Sequence, residues 1–374
     1  MTPTVSFIVP CYKLAHFLSE CVNSILCQTF TDFEVLIMDD CSPDDTPEVA
    51  ASFLDPRVHH FRHTENLGHL RNYNRGIALS QGKYIWIISA DDRLQSPEVL
   101  SRFVSVLETH SSVGYVFCSA IDIVEGKEVG VSDWAFTAPT DEIINGYTFL
   151  ERLLKSNCIH APSVLARRAC YEFSQFPLDL PHSGDWYLWC RFALHFDVGY
   201  VAEPMVAYRR HDANMTAQYL GPKVFQCIAD EIAVRWRIMR DAEVWGCRDI
   251  VRMCKEEIVK NYIQRILWKQ EYNWMHGLTL EDFDKSLNIN ARHYREANYF
   301  RSRVYAGLGD HSYWRGDLRR ARHFYQSYLH LASVPSCEYF LKYMLLWFGG
   351  FGSYMRFLMN RVRAILKSAE IGNR

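Results

Sequence analysis

The sequence predicts an α/β fold, a mostly parallel mixed sheet flanked by helices, followed by an all-helical carboxy-terminal region. Three observations carry that prediction. Short apolar runs of strand length alternate with stretches of helical period, the runs end at polar turns, and from Tyr219 onward the apolar period is helical almost throughout.

Residues 5–9 read as a buried first strand that Pro10 closes. Phe17, Leu18, Cys21, Val22, Ile25 and Leu26 then fall on one helical face. Residues 33–38 form a second strand and stop at the polar loop 39–45, where Asp44, Asp45 or Thr46 caps the next helix. A third strand covers residues 58–62 and a helix residues 67–80, with Gly82 as its stop. Residues 84–89, β-branched and aromatic, form a fourth strand. A helix over 97–109 and a strand over 115–123 follow, then less regular elements to about Asn214. The expected domains are therefore 1–215 and 216–374. Within 293–332 the second holds a helix-turn-helix reminiscent of one tetratricopeptide unit, read as a hairpin within a bundle because a solenoid needs about three repeats.

Bulk properties narrow the function. A chain of 374 residues is long enough for about two domains with cores of their own. With 49% hydrophobic and 22% charged residues it is a folded globular chain rather than a disordered one, and a net charge of -2 makes nucleic acid a poor partner. Its 12 cysteines never form a C-x-x-C pair, which points to reduced thiols rather than a disulfide framework or a close-spaced zinc motif. The amino terminus lacks the pattern of a cleaved signal, and the apolar run 343–351 falls short of the roughly 20 residues that span a bilayer. A cytoplasmic location follows. The basic amphipathic stretch 354–367 reads either as a terminal helix docked on its own domain or as a peripheral contact with an anionic membrane face.

Ligands of open α/β sheets bind beyond the carboxyl ends of the strands, so residues 10–13, 39–45 and 90–93 are expected to converge on one crevice. There Asp91 and Asp92 can share one divalent cation. A hard ion such as Mn²⁺ or Mg²⁺ takes oxygen ligands, and a diphosphate supplies the remainder. The plain alternative is a solvated turn in which Asp92 caps a helix. Asp40 can accept the imide N–H of a uracil or thymine ring, or be an ordinary turn carboxylate. Arg71 can reach a phosphate or the Asp40 carboxylate, or lie idle on the surface.

Residues 5–12 (VSFIVPCY), 24–30 (SILCQTF), 39–42 (DDCS), Asn66-Leu67-Gly68, Arg71-Asn72, Gly76-Ile77-Ala78, residues 82–85 (GKYI) and Asp91-Asp92, in that order, resemble the family 2 inverting glycosyltransferases of the GT-A fold over residues 1–215. The resemblance implies that Pro10 and Tyr12 line the nucleoside, Asp40 reads the base, Asp91 meets the ribose and Asp92 the metal. Where the family often has D-x-D, this chain has Ala90-Asp91-Asp92. Residues 183–191 (SGDWYLWCR) resemble the family's E-D-W segment with Gly184 in place of Glu, which makes Asp185 the catalytic base. A direct displacement needs one such base. An N-cap is the other role open to Asp185, and a helix N-terminus would keep it ionised and weakly basic. Residues 208–216 (YRRHDANMT) resemble the family's Y-R-x-H segment, so that Arg210 or His211 holds the departing diphosphate and His211 can join the metal. Trp134, Phe136, Trp186 and Trp189 either frame an acceptor or pack in the core.

The expected function is a metal-dependent hexosyltransferase. It moves a sugar, with a UDP-sugar favoured, to a hydroxyl of a saccharide or lipid-linked acceptor with inversion, in cell-surface polysaccharide or glycoconjugate synthesis. A nucleotidyltransferase would carry a Gly-rich loop where residues 10–15 (PCYKLA) stand. A catalytically silent nucleotide-sugar binder or helical scaffold is the alternative from another class.

Overall fold

The computed structural model describes residues 2–212, 214–221 and 223–347. The amphipathic stretch 354–367 and the end of the apolar run 343–351 lie outside the described residues.

Strand β1 (Val5–Cys11) is buried along its whole length, as expected of a parallel strand covered on both faces. α1 (Ala15–Leu26) turns Leu18, Cys21, Val22 and Ile25 inward. β2 (Phe33–Asp39), α2 (Thr46–Ala51), β3 (Val58–Arg62), α3 (His69–Leu79) and β4 (Tyr84–Ile87) follow close to the expected bounds. β1 pairs in parallel with β2 and β4, and β2 with β3, so the carboxyl ends of β1, β2 and β4 lie side by side. After them come β5 (Arg93–Leu94), α4 (Val99–Thr109) and β6 (Val113–Val124).

The stretch up to residue 214 is more regular than the sequence suggests. It contains β7 (Lys127–Val131), β8 (Glu142–Ile144), α5 (Gly146–Lys155), β9 (Val164–Arg167), α6 (Arg168–Phe173), α7 (Gly184–Ala193) and β10 (Asp197–Arg210). Strand β9 runs antiparallel between β4 and β6, while β10 is parallel to β6, giving a mixed ten-stranded sheet of order β3-β2-β1-β4-β9-β6-β10-β5 with β7 and β8 at its side. β10 breaks register between Val201 and Val206, around Pro204, which has no N–H for the ladder. The core runs through the sheet. Trp86 stacks between Phe7 and Phe103 at 5.5 and 4.7 Å, and its Nε1 donates to the Pro162 carbonyl at 2.7 Å. Each such ring withdrawn from water contributes about 1.5–3 kcal/mol.

Helices α8 (Met215–Leu220), α9 (Val224–Val244), α10 (Arg248–Tyr272), α11 (Leu280–Asn290), α12 (Tyr294–Trp314), α13 (Leu318–Leu331) and α14 (Cys337–Leu345) complete the described chain. It forms two compact units that part at Cys254/Lys255. In the first unit α9 braces α5: Arg235 donates to the carbonyls of Leu154 and Lys155 at 2.8 and 2.6 Å, satisfying acceptors at that helix end. In the second, α12 and α13 form a hairpin through Gly316, whose φ of +83° suits glycine. Ala321 and Tyr325 of α13 are fully buried, and the Tyr325 ring lies where a side chain on Gly309 would stand.

Candidate active site

The site is built on the turns that end β1, β2 and β4. The amide of Asp40 donates to the Cys11 carbonyl at 3.0 Å, that of Ala90 to Pro10 at 3.2 Å, and that of Lys13 to Ser42 Oγ at 2.8 Å, so the three turns meet at one lip of the sheet. Lys13 and Cys41, at this lip, have φ of +60° and +56°, strained values for residues with a Cβ.

Asp39 and Asp40 are almost wholly neutralised by the protein. Asp39 accepts from the Ser42 amide at 2.7 Å and faces Arg62 and His60 at 3.2 and 3.3 Å. Asp40 accepts from the amides of Leu67 and Gly68 at 2.7 and 3.0 Å, and Gly68 opens α3 at φ +80°. The expected reach of Arg71 to Asp40 is therefore replaced by these backbone donors. Arg71 is exposed on α3. Pro10 is buried in β1, and Tyr12 is 41% exposed at the lip.

Asp91 and Asp92 follow β4 and are both buried. The Arg209 amide donates to Asp92 Oδ1 at 2.9 Å and the Arg209 Nε to the Asp91 carbonyl at 2.9 Å. The same guanidinium donates to Glu20 Oε2 at 2.6 Å and lies 4.4 Å over the Phe17 ring. Asp91 Oδ2 accepts from Asn214 at 3.1 Å and stands 3.0 Å from His211 Nε2. Its Oδ1 is buried without a hydrogen-bond partner. Burial pushes the Asp92 carboxyl well above its ordinary range, and the Asp91 charge adds to the shift, with Arg209 opposing it. An orphaned carboxylate oxygen beside a second carboxyl held up by like charge is an arrangement that a divalent cation with further oxygen ligands would complete.

Asp185 occupies the first turn of α7 and accepts from the Trp186 amide at 2.7 Å. The expectation that the helix N-terminus keeps it a weak base is corrected: burial raises its pKa, outweighing the Trp186 amide and the nearby His182. The helix that carries it is anchored in the core. Trp186, Leu188, Trp189 and Phe192 are core, Trp186 Nε1 donates to the Leu153 carbonyl at 2.9 Å, and the Arg235 guanidinium lies 4.8 Å over the Trp186 ring. Gly184, which stands where the E-D-W pattern has Glu, abuts Leu70: a Cβ there would lie 3.2 Å from its side chain.

Tyr73 lies on α3, its ring 5.6 Å from that of His69 and 5.2 Å from that of Phe176. Its phenol is held up by burial and then by the charges of Asp91, Asp185 and Asp92, which all act on this one hydroxyl. The pattern of the sequence does not reveal it, because Tyr73 is adjacent only in space. Arg209, Glu20 and Asn214 were missed for the same reason, although Arg209 and Asn214 lie inside the segment 208–216. Arg210 is directed elsewhere, 3.5 Å from Asp122 Oδ2 and with its side chain 59% exposed. Of the four aromatic candidates, Trp186 and Trp189 are core, Phe136 packs on Phe149 and Tyr200, and Trp134 remains 47% exposed, 4.2 Å from the His160 ring.

Comparison with known proteins gives a consistent picture. Residues 6–168 match the model of glycosyl transferase family 2. An uncharacterized glycosyltransferase of Rickettsia typhi is 25% identical over 221 residues, covering 58% of this chain and 66% of its own. One of Haemophilus influenzae is 27% identical over 225 residues, 58% of this chain and 68% of its own. The succinoglycan biosynthesis protein ExoO of Rhizobium meliloti is 34% identical over 102 residues, 27% of this chain and 29% of its own. The chain thus spans about two thirds or less of the length of these curated relatives. A crystal structure of S. aureus TarS in complex with UDP-GlcNAc superposes with a TM-score of 0.59 at 17% identity, covering 87% of this chain and 92% of that one, a likeness of fold.

Proposed function

We propose, from the premise that residues 6–168 belong to glycosyl transferase family 2, that this chain moves a sugar from a nucleoside-diphosphate donor to an acceptor hydroxyl with inversion. The observation that supports the reading most is the buried Asp91–Asp92 pair at the lip where the turns after β1, β2 and β4 meet, with one Asp91 oxygen that lacks a hydrogen-bond partner.

Asp92, with Asp91 and His211 beside it, would hold a Mn²⁺ or Mg²⁺ ion. Such an ion supplies compensation for the charge that grows on the leaving diphosphate. Pro10 and Tyr12 flank the nucleoside. Asp40 keeps lone pairs beyond the two that Leu67 and Gly68 use, enough to accept the imide N–H of a uracil, which favours a UDP-sugar. Arg71, exposed on α3, would turn toward phosphate oxygens, and Arg210 would do so by leaving its ion pair with Asp122. Asp185 takes the proton of the acceptor hydroxyl as that oxygen bonds to the anomeric carbon, and its raised pKa makes it the stronger base for this step. One displacement with one base and no protein nucleophile inverts the anomeric centre.

The acceptor is proposed to be a saccharide or lipid-linked saccharide in surface polysaccharide synthesis, in keeping with the succinoglycan relative. No described helix is long and apolar enough to cross a membrane, and a cytoplasmic, peripheral location is part of the proposal. The test is Asp185→Asn. Donor binding, read as a thermal shift with a UDP-sugar and Mn²⁺, should persist while transfer falls by about 10²–10⁴. A wild type that binds donors and never turns one over with any saccharide would favour a silent binder.

A further inference from the structure

We propose that His182, Cys227 and Glu231 form a second metal site, for a zinc-type ion, that fastens the segment carrying Asp185 to α9. Cys227 and Glu231 are four residues apart on α9 and so share one face of it, while His182 lies just before α7, three residues ahead of Asp185. The ligand atoms of the three lie within 4.8 Å of one another, and Cys227 Sγ is already 3.5 Å from Glu231 Oε1. Zinc bonds of about 2.0–2.3 Å in tetrahedral array set ligand separations of roughly 3.5 Å, so small side-chain rotations close the triangle.

The donor set decides the kind of ion. A thiolate, an imidazole and one carboxylate suit zinc, whereas the all-carboxylate pair Asp91–Asp92 suits Mn²⁺ or Mg²⁺. Three protein ligands leave the fourth position to water or to an incoming group. Burial fits as well: Cys227 is 1% exposed, and His182 and Glu231 are half-buried, so the ion would sit at the edge of the protein interior.

The frame around the site is prepared without the ion. The His182 amide donates to Asp230 Oδ2 at 2.7 Å, and Gln226 Nε2 donates to Asp230 Oδ1 at 2.6 Å, which holds the 182 segment against α9 through a buried carboxylate. The His182 ring also lies 5.1 Å from that of Tyr219, which limits its rotation. These contacts hold the backbone at His182 and restrain its ring, so little ordering is left for an ion to impose. An ion there would lock the approach to α7 and with it the position of Asp185. The site stands independently of the transfer reading, since none of its ligands belongs to the donor crevice.

The experiment is a titration of the full-length, chelator-stripped chain with Co²⁺ and then Zn²⁺. The wild type should show a near-ultraviolet thiolate-to-cobalt band that saturates at one equivalent of site-bound Co²⁺ and that Zn²⁺ abolishes. Cys227→Ser should lose the band. Glu231→Gln and His182→Ala, checked for folding by circular dichroism, should weaken Zn²⁺ binding by about tenfold or more, because even an outer-shell partner is worth that much. Asp92→Asn should leave the band unchanged. Absence of the band in the wild type, Zn²⁺ affinity untouched by Glu231→Gln, or a band that Cys227→Ser retains would each overturn the proposal.

Discussion

Two pairs of adjacent aspartates follow strands on either side of β1, and they have opposite surroundings. Asp39 and Asp40, after β2, are answered by the protein itself: amides of Ser42, Leu67 and Gly68, the Arg62 guanidinium and the His60 ring. Asp91 and Asp92, after β4, are answered incompletely, with one buried oxygen of Asp91 unpaired and the Asp92 carboxyl pushed up by burial and by its neighbour. The difference teaches what a paired acid motif is for. A carboxylate that already takes backbone donors holds a loop in place and can receive one further N–H, as Asp40 would from a base, whereas one left short of positive charge is prepared for a cation.

The contrast is most severely tested by removing Asp92. Asp92→Asn should cost about 10²–10³ in kcat, the size of a lost electrostatic stabiliser in an enclosed site, while the fold survives. A variant with full activity and a lower melting temperature would make Asp92 a structural residue like Asp39. The converse change is Asp40→Ala. It leaves the amides of Leu67 and Gly68 without acceptors, each worth about 1–3 kcal/mol, so denaturant unfolding should show a loss of about 2–4 kcal/mol. An unchanged midpoint would show that the loop 66–68 does not depend on it.

Acidity sharpens the same comparison. The folded pKa of Asp92 lies above its unfolded one, so between the two the native state holds a proton that the unfolded chain has released. Stability of the metal-free protein should therefore be highest on the acid side and fall as pH rises through the folded pKa of Asp92. Calorimetric melting across pH should show this fall in the wild type and a flatter profile in Asp92→Asn. Mn²⁺ should raise the wild-type melting temperature at neutral pH and leave that of Asp92→Asn nearly unchanged. Activity should move the other way, rising as Asp185 loses its proton at a pH above the usual carboxylate range.

The smallest effect is expected at Tyr73. Tyr73→Phe removes the hydroxyl whose pKa burial and the charges of Asp91, Asp185 and Asp92 raise, and should lower kcat/KM by roughly fivefold to tenfold, about 1–1.4 kcal/mol. No change in steady-state kinetics would mean that the phenol is only a wall of the site.

Much of the first half of the fold was legible. Long apolar runs such as residues 5–9 and 33–38 announce buried parallel strands, and the helical spacing of Leu18, Cys21, Val22 and Ile25 matches their burial in α1. What escaped was short or interrupted. Strand β9 has four residues, too few to display a period, and Pro204 disguises the 14 residues of β10 as a break. In the candidate site, acids at strand ends were visible because a turn after an apolar run is a local signal. Arg209, Asn214 and Tyr73 were not assigned roles, since their relation to Asp91 and Asp92 exists only after α3, β4 and β10 are assembled. The direction of the Asp185 shift was misread for a related reason: a helix N-terminus can be seen in a sequence, whereas loss of water around its first turn in the assembled fold cannot.

The central claim, that Asp92 and Asp185 serve one donor molecule from two sides, is tested most directly by a crystal structure with a UDP-sugar and Mn²⁺. The account predicts the ion within about 2.0–2.3 Å of an Asp92 oxygen and of the diphosphate, the uracil at Asp40, and the anomeric carbon facing Asp185. A donor bound away from Asp92, or an anomeric carbon turned from Asp185 with no room for an acceptor between them, would contradict it.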